Sequence, residues 1–308
     1  MVNGSPSEEF KPSRGIRQGD SLCPYLFILC AEVLSGLMRR AAETKAIHGI
    51  KVAHGAPEVS HLLFADDSIF FVQATEVEAN RVKDILSSYE KASGQMVSLE
   101  KTTISFSRGL SEERKRNIAD GLGVRMVSVH DKYLGLPTVI GQSKSALMRI
   151  VRDKLQKKLQ GWRGLLLSKA GREVLIKAVA QSIPTYAMSV FKFPKTFCEE
   201  IRSLVSRFWW GATEGKKRIP WIAWSKLCKP KNRGGLGFLE LHSFNLALLG
   251  KQSWRLLTER DSLMTRVLRG KYFPAGSFLT APLGSNPSYK SEEFGKLGRF
   301  MGLGYEGG

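Results

Sequence analysis

The stretch HLLFADDSIFF, residues 61–71, places two adjacent aspartates, Asp66 and Asp67, inside an otherwise apolar run. Acidic residues are disfavoured in strand interiors, and a buried carboxylate without a partner is costly. Residues 62–65 and 68–72 each have the pattern of a short strand, which predicts a hairpin with the two acids at its tip. Two interpretations stay open here: an ordinary turn, where aspartate is tolerated, or a site for a divalent cation such as Mg²⁺, which prefers carboxylate oxygens.

The charge balance of the chain points to a polyanionic partner. Its 308 residues, of which 43% are hydrophobic, are enough for one large domain or two ordinary ones. Lys and Arg total 47 against 28 Asp and Glu, which gives a formal net charge of +19. A field of this sign attracts polyanions and speeds encounter with them. We therefore expect a nucleic acid as partner rather than a merely solvated basic surface.

The cysteines and the first residues predict an intracellular protein, in the nucleus or the cytoplasm. Four cysteines, with no C-x-x-C pair, are too few for a disulfide framework in a chain of this length. The first twenty residues are polar and lack the apolar region of a signal peptide. No apolar run approaches the roughly 18 residues that cross a bilayer, so we expect no membrane partner.

Residues 15–107 have the pattern of an α+β unit. Apolar residues recur every three to four positions, which predicts a helix with this stripe: Leu22, Leu26, Leu29, Val33 and Leu37. The hairpin follows, and then a capping box from Thr75 to Glu78 starts a second helix, which Gly94 can end. Residues 96–99 and 103–107 are typical of further short strands. This order predicts helices packed on one face of a mainly antiparallel sheet.

The pattern becomes helical and basic after Pro137, and we place a domain boundary near residue 140. Residues 144–163 combine an apolar stripe with a row of cations and a single acid, Asp153. The cations are Lys144, Arg149, Arg152, Lys154, Lys157, Lys158 and Arg163. Such a row can be a solvated face or a contact for phosphates. Further helices are predicted at 168–182, 197–210 and 242–258.

Aromatic residues cluster around a basic, glycine-rich segment, WIAWSKLCKPKNRGGLGF at 221–238, which predicts a loop or a small hairpin. Four tryptophans lie in or before it: Trp209, Trp210, Trp221 and Trp224. For these we favour packing in the core over the stacking of bases.

The segment before the first helix, SRGIRQGDSLCPYLF at 13–27, crowds cations, an amide and glycines ahead of a helix start: Arg14, Gly15, Arg17, Gln18 and Gly19. Glycines let another chain approach the backbone closely, and a helix start favours anions. This segment is therefore a candidate seat for a nucleotide or a template strand.

Taken in order, RGIRQGDSLCPYLF, FADD, SGQMVSLEKT and YLGLP resemble the reverse transcriptases of plant non-LTR (LINE-type) retrotransposons. The resemblance continues through residues 158–194 and reaches about Tyr289. It implies an α+β fold with four parts: a partial polymerase palm at 1–140, a basic helical thumb at 141–195, a helical and aromatic/basic connection region at 196–289, and a non-homologous, disordered tail at 290–308.

The same resemblance implies an RNA-directed DNA polymerase that extends a DNA primer on an RNA template from dNTPs, using two Mg²⁺ ions. Asp66 would be a direct ligand of the catalytic metal, and Asp67 would support the same charged tip. The resemblance also implies that Arg17, Gln18 and Gly19 contact the incoming nucleotide and template, and that Lys101 contacts the nucleotide phosphates. It implies that the primer is contacted by Tyr133, Leu134 and Gly135. The nucleic-acid backbone would be contacted by Lys154, Lys157 and Lys158.

In this family a further metal-binding carboxylate comes from a strand well upstream of the RQGD motif. Only thirteen residues precede Arg14, and the acids there, Glu8 and Glu9, lie in a segment that resembles a different strand and turn. We therefore expect a partial polymerase that is inactive by itself. Two alternatives stay open: a working polymerase whose missing carboxylate comes from another polypeptide, and a domesticated RNA- or DNA-binding protein that uses only the basic thumb.

Overall fold

The computed structural model of the chain describes residues 19–107, 109–128, 145–163, 165–211 and 219–274. These residues form two compact units. The first contains the described residues up to Ser128 except Ala53–Ala56, and the second contains Ala53–Ala56 and the described residues from Ser145 onwards. No helix in these ranges is both long and apolar enough to cross a bilayer.

The first unit mixes helices with short strands, which confirms the predicted α+β class. Its helices are α1 (Cys23–Glu43), α2 (Glu76–Ser93) and α3 (Glu112–Leu122). Its strands are β1 (Ile50–Lys51), β2 (Glu58–Val59), β3 (His61–Phe64), β4 (Asp67–Phe70), β5 (Thr103–Ile104) and β6 (Arg125–Met126). The strands pair two by two, with β1–β2 and β3–β4 antiparallel and β5–β6 parallel. The strand predicted at 96–99 is wrong, and only Thr103–Ile104 of the one predicted at 103–107 is extended.

The second unit is helical in its described part apart from Ala53–Ala56 and loops. Its helices are α4 (Ser145–Arg163), α5 (Lys169–Leu175), α6 (Thr185–Met188), α7 (Lys195–Trp210), α8 (Trp224–Leu227), α9 (Leu241–Thr258) and α10 (Leu263–Tyr272). A π-helical turn, Ile176–Ala180, continues α5, and a 3₁₀ turn, Lys231–Arg233, follows α8. The helices predicted at 168–182, 197–210 and 242–258 are confirmed, with bounds that differ by a few residues.

Helix α2 begins and ends where the sequence predicts. The Thr75 hydroxyl accepts a hydrogen bond from the Glu78 amide at 3.3 Å, and Gly94 ends the helix with a φ of 73°, which glycine adopts without strain. The Glu78 side chain does not complete the predicted capping box, because the Thr75 amide donates to the Gln73 carbonyl at 2.8 Å instead. Its carboxylate accepts hydrogen bonds from the His48 amide at 2.9 Å, from His48 Nδ1 at 2.8 Å and from the Gln73 amide at 2.9 Å. Glu78 therefore ties the first turn of α2 to two loops.

The core of the first unit lies between α1, α2 and the β3–β4 hairpin. Leu34, Met38 and Ala41 of α1 are buried against α2, and Leu63 and Phe70 of the hairpin pack on the same cluster. Much of the predicted stripe of α1 is instead exposed in this unit: Leu22, Leu26, Leu29 and Val33. Helix α1 carries apolar residues on several sides, so its periodicity cannot say which side packs. In the described structure α1 joins the core of the first unit from Cys30 onwards.

A buried asparagine fixes the loop between α6 and α7 in the second unit. Asn245 of α9 is fully buried. Its Oδ1 accepts a hydrogen bond from the Phe193 amide at 2.7 Å, and its Nδ2 donates to the carbonyls of Met188 at 2.7 Å and Phe191 at 2.9 Å. Backbone groups that leave water need such partners. Asn245 thus lets an irregular loop lie inside an apolar core.

We predict that Glu78→Gln lowers the free energy of unfolding by about 2 kcal/mol at neutral pH. The substitution replaces a buried carboxylate by a neutral amide, and hydrogen bonds to a charged acceptor are stronger than those to a neutral one. Burial by itself raises the pKa of Glu78, but the hydrogen bonds from His48 and Gln73 outweigh it and lower that pKa below its usual 4.5. The contribution of Glu78 is therefore fully present above 4.5 and is lost as the pH falls through the lowered folded-state pKa. Urea unfolding of both proteins across this pH range measures the difference.

The matched control is Glu76→Gln, which neutralises an exposed carboxylate in the same first turn and should cost less than about 0.5 kcal/mol. A Glu78→Gln protein as stable as the wild type at neutral pH would show that the three hydrogen bonds do not stabilise the fold.

Candidate functional site

The two aspartates lie at the closed end of the β3–β4 hairpin. The strands pair in the register His61↔Phe70, Leu62↔Ile69, Leu63↔Ser68 and Phe64↔Asp67. The two-residue turn is therefore Ala65-Asp66, one position earlier than the Asp66-Asp67 turn that the sequence predicts. Asp67 belongs to the last pair of the ladder, because its backbone closes against Phe64. Ala65 takes a φ of 48°, a left-handed conformation that L-residues rarely adopt.

Both carboxylates are exposed, as are Ala65 and Ser68 beside them. The apolar side of the hairpin, with Leu63 and Phe70, packs on the core of the first unit. The cost of a buried carboxylate therefore does not arise for these two aspartates. An exposed turn tolerates acidic residues and also leaves their oxygens accessible to a cation. The structure is therefore compatible with an ordinary turn and with a site for a divalent cation.

The base of the hairpin is fixed to α1 through His61. Its Nε2 lies 2.9 Å from the Ser35 hydroxyl oxygen, and its Nδ1 lies 2.9 Å from the Ser60 hydroxyl oxygen. Burial and the positive charge of Arg39 lower the pKa of His61, against a smaller opposing effect of Glu32. A neutral imidazole, with one donor and one acceptor nitrogen, suits two hydroxyl partners. The base of the hairpin is thus held, while its tip is free of packing.

The chemistry of the tip suits magnesium. Mg²⁺ in nucleotide sites is commonly held by one or two carboxylates together with substrate phosphates and water. Asp66 and Asp67 supply two such carboxylates at an exposed turn. Among the residues that the structure describes, no group of three or more His, Cys, Asp or Glu side chains is arranged to hold a metal ion. The tip therefore offers carboxylate oxygens, a ligand type that Mg²⁺ accepts, without a complete metal site among the described residues.

The other predicted nucleotide-site residues are only partly described. Arg17 and Gln18 lie outside the described residues, as do Tyr133, Leu134 and Gly135 of the predicted primer contact. Gly19 is exposed just before α1, with a φ of 93°. Lys101 is exposed in a turn where its amide donates to the Ser98 carbonyl at 3.1 Å. No hydrogen bond or ion pair between described residues joins Gly19 or Lys101 to the two aspartates.

Helix α4 in the second unit carries the predicted basic face. Its buried side consists of Leu147, Val151, Leu155 and Leu159. Lys154, Lys157 and Lys158 are exposed, and their i, i+3, i+4 spacing places them on one side of the helix. In the described part of the chain no acidic side chain pairs with Lys157 or Lys158. Arg152 differs, because it faces Asp153 at 3.4 Å and Glu200 at 3.5 Å.

One aromatic residue lies where the sequence does not place it. Trp209 and Trp224 are buried and Trp210 is half-buried, as predicted. Trp221, however, has 86% of its surface exposed, so the prediction of a core position is wrong for it. Trp221 lies in the segment before helix α8, which begins at Trp224.

Comparison with known proteins identifies one family and several similar sequences. Residues 1–138 match the family described as reverse transcriptase (RNA-dependent DNA polymerase). An uncharacterized mitochondrial protein of Arabidopsis thaliana is 46% identical over 109 residues, which are 35% of this chain and 71% of that protein. A putative ribonuclease H protein of the same plant is 42% identical over 122 residues, 40% of this chain and 20% of that protein. A second uncharacterized mitochondrial protein of this plant is 59% identical over 68 residues, 22% and 56% of the two chains.

We predict that Ala65→Gly raises the free energy of unfolding by about 0.5 kcal/mol, because a left-handed backbone costs an L-residue about 1–2 kcal/mol and glycine much less, even after its larger entropy loss. Ala65→Val, which keeps the strain and adds a branched side chain, should lower it. Thermal unfolding of the three proteins tests this, and an Ala65→Gly protein less stable than the wild type would refute the described turn.

Proposed function

Because the chain belongs to the reverse transcriptase family, we propose that it binds a template–primer duplex through α4 and offers Asp66 and Asp67 as ligands for Mg²⁺ bound with a nucleotide. The family in general depends on Mg²⁺ and binds template and primer nucleic acids. The proposal goes further in two ways. It assigns these roles to named residues of this chain, and it states that the chain descends from the LINE-type elements that its sequence resembles.

The exposed lysines of α4 are the observation that supports duplex binding. Lys157 and Lys158 lack an acidic partner among the described residues, so their charges are available to phosphates. Each lysine that neutralises a phosphate releases a condensed counterion, which favours binding at low salt. The buried stripe on the other side anchors α4 to the core of the second unit, so the basic face is presented on a rigid element rather than on a loop.

The hairpin tip supports the metal assignment. Asp66 in the turn and Asp67 at the first pair of β4 would bind the ion through carboxylate oxygens. The bound magnesium would stabilise charge on the oxygens that attack and leave in nucleotidyl transfer. The packed base of the hairpin would hold the two acids in place, and their exposure would leave room for the phosphates of a dNTP.

The remaining roles follow the motif positions. Arg17, Gln18 and Gly19 would contact the incoming nucleotide and template, and Lys101 would contact its phosphates. Tyr133, Leu134 and Gly135 would contact the primer. We likewise assign residues 1–140 to a palm, 141–195 to a thumb and 196–289 to a connection region, whereas 290–308 lie outside the described residues. The nuclear or cytoplasmic location stays a prediction.

We further propose that this chain does not synthesise DNA by itself. Two-metal nucleotidyl transfer uses ions about 3.5–4 Å apart, which need carboxylates from more than one segment. Within the described ranges Asp66 and Asp67 are not joined by a third metal-binding side chain. Under the competing proposal, a second polypeptide supplies that carboxylate and restores activity.

Duplex binding is tested with Lys157→Gln/Lys158→Gln. We expect about three- to tenfold weaker binding to an RNA–DNA hybrid and a salt slope smaller by about 2, since two phosphate contacts are lost. The matched control is Lys83→Gln/Lys115→Gln, which removes two charges that already contact the Gly121 carbonyl and Glu112. It should bind like the wild type. Equal losses in both variants would mean that net charge, and not α4, determines binding.

DNA synthesis is tested by dTTP incorporation on oligo(dT)-primed poly(rA) with Mg²⁺, alongside an active reverse transcriptase. We expect no incorporation above that of Asp66→Ala, and Asp66→Ala should still bind the hybrid because α4 is intact. Incorporation by the wild type that disappears in Asp66→Ala would show that the chain completes its own metal site.

A further inference from the structure

An exposed tryptophan lies at the start of a strongly basic segment. Trp221 is 86% exposed, and its neighbour Ile219 is 78% exposed. From Ile219 to Leu239 the sequence contains four cations, Lys226, Lys229, Lys231 and Arg233, and no acid. An exposed indole is unfavourable in water, so its position beside cations suggests a ligand that combines a flat apolar surface with negative charge.

The segment that carries these side chains is closed on itself, and we call Trp221–Phe238 the basic loop. The Leu236 amide donates to the Leu227 carbonyl at 2.9 Å, and the Gly237 amide donates to the Lys229 carbonyl at 2.8 Å. Gly235 lies directly against the Lys229 carbonyl, where any Cβ would collide. These contacts fix the path of the backbone between the cations.

The basic loop is anchored through its buried aromatic residues. Trp224 stacks on Phe238, with ring centroids 5.0 Å apart and planes inclined by 16°. Phe238 in turn meets Trp209 edge-on at 5.4 Å, inside the core of the second unit. The loop therefore presents its exposed side chains from a packed base, which lowers the entropy that a ligand must remove on binding.

Three of the four cations are available for a ligand. Lys226, Lys229 and Arg233 are exposed and have no acidic partner among the described residues. Lys231 differs, because it lies 3.3 Å from Glu173. Trp221 precedes Lys226 by five residues, so their Cα atoms are at most about 19 Å apart. The indole and the nearest of these cations in sequence, Lys226, are thus within the span of a few nucleotides.

We propose that Trp221 and the cations of the basic loop form a binding site for single-stranded nucleic acid, with an unpaired base stacked on the indole and phosphates at Lys226, Lys229 and Arg233. Aromatic platforms beside cationic tracks bind single strands with little sequence preference, because every base has a π-face. A base in a duplex is already stacked and cannot offer that face. The site is distinct from the duplex-binding face proposed for α4 and does not depend on it.

The test measures the affinity of the full chain for an oligothymidylate of about 16 nucleotides and for a duplex of equal length. We expect Trp221→Ala to weaken single-strand binding about tenfold and to change duplex binding less than about twofold. Trp221→Phe, which keeps a flat ring, should recover most of the affinity. Lys226→Gln/Lys229→Gln/Arg233→Gln should lower the single-strand salt slope by about 2.

The matched control is Trp254→Ala, which removes a tryptophan that is 52% exposed on α9 and should leave both affinities unchanged. Thermal unfolding of each variant verifies that it is folded. We expect both tryptophan variants to fold, because the side chains they lose are exposed. Wild-type single-strand affinity in Trp221→Ala, an equal loss for single strand and duplex, or no single-strand binding by the wild type up to about 100 µM would overturn the proposal. If Lys157→Gln/Lys158→Gln bound the duplex like the wild type, the duplex proposal would fail, but these single-strand comparisons would still stand.

Discussion

The backbone pairing of Phe64 with Asp67 is the constraint from which the candidate metal site follows. It limits the turn to Ala65 and Asp66 and forces Ala65 into a left-handed conformation. It also places two consecutive carboxylates beyond the last packed side chains of the hairpin. Had the turn been Asp66-Asp67, Ala65 would pair with Ser68 and Phe64 with Ile69, so every residue of β3 would face a different partner. Asp67 would then lie in the turn instead of in the last pair of the ladder.

The rest of the first unit supports this hairpin without covering its tip. His61 joins β3 to α1 through the Ser35 hydroxyl, and Glu78 joins the start of α2 to the loop after α1. These polar contacts lie around one small apolar cluster. The arrangement separates two demands on the hairpin: its base must be rigid for positioning, and its acids must stay hydrated until a cation and phosphates replace the water.

Sequence reasoning is reliable where a local interaction determines the structure. The ends of α2 follow from the Thr75 cap and from the φ of Gly94, and the faces of α4 follow from a clean separation of apolar and basic positions. It fails where tertiary packing chooses between equivalent options. Helix α1 has apolar residues on several sides, and only contact with α2 determines that Leu34 and Met38 are buried. Trp221 has the same residue type as its buried neighbours Trp209 and Trp224, and only the fold shows that it lies before α8 and in water. The exact turn of the hairpin also depends on strand register, which a run of apolar residues does not encode.

The location of a bound metal ion tests the hairpin-tip proposal most directly. Paramagnetic Mn²⁺ can replace Mg²⁺ and broadens the NMR signals of nearby backbone amides. With dTTP present, we predict that substoichiometric Mn²⁺ broadens the signals of Ala65–Ser68 first, and that Asp66→Asn/Asp67→Asn abolishes this selective effect. Broadening centred elsewhere in the chain, or broadening at the tip that persists in the double variant, would contradict the assignment of these two carboxylates to the metal.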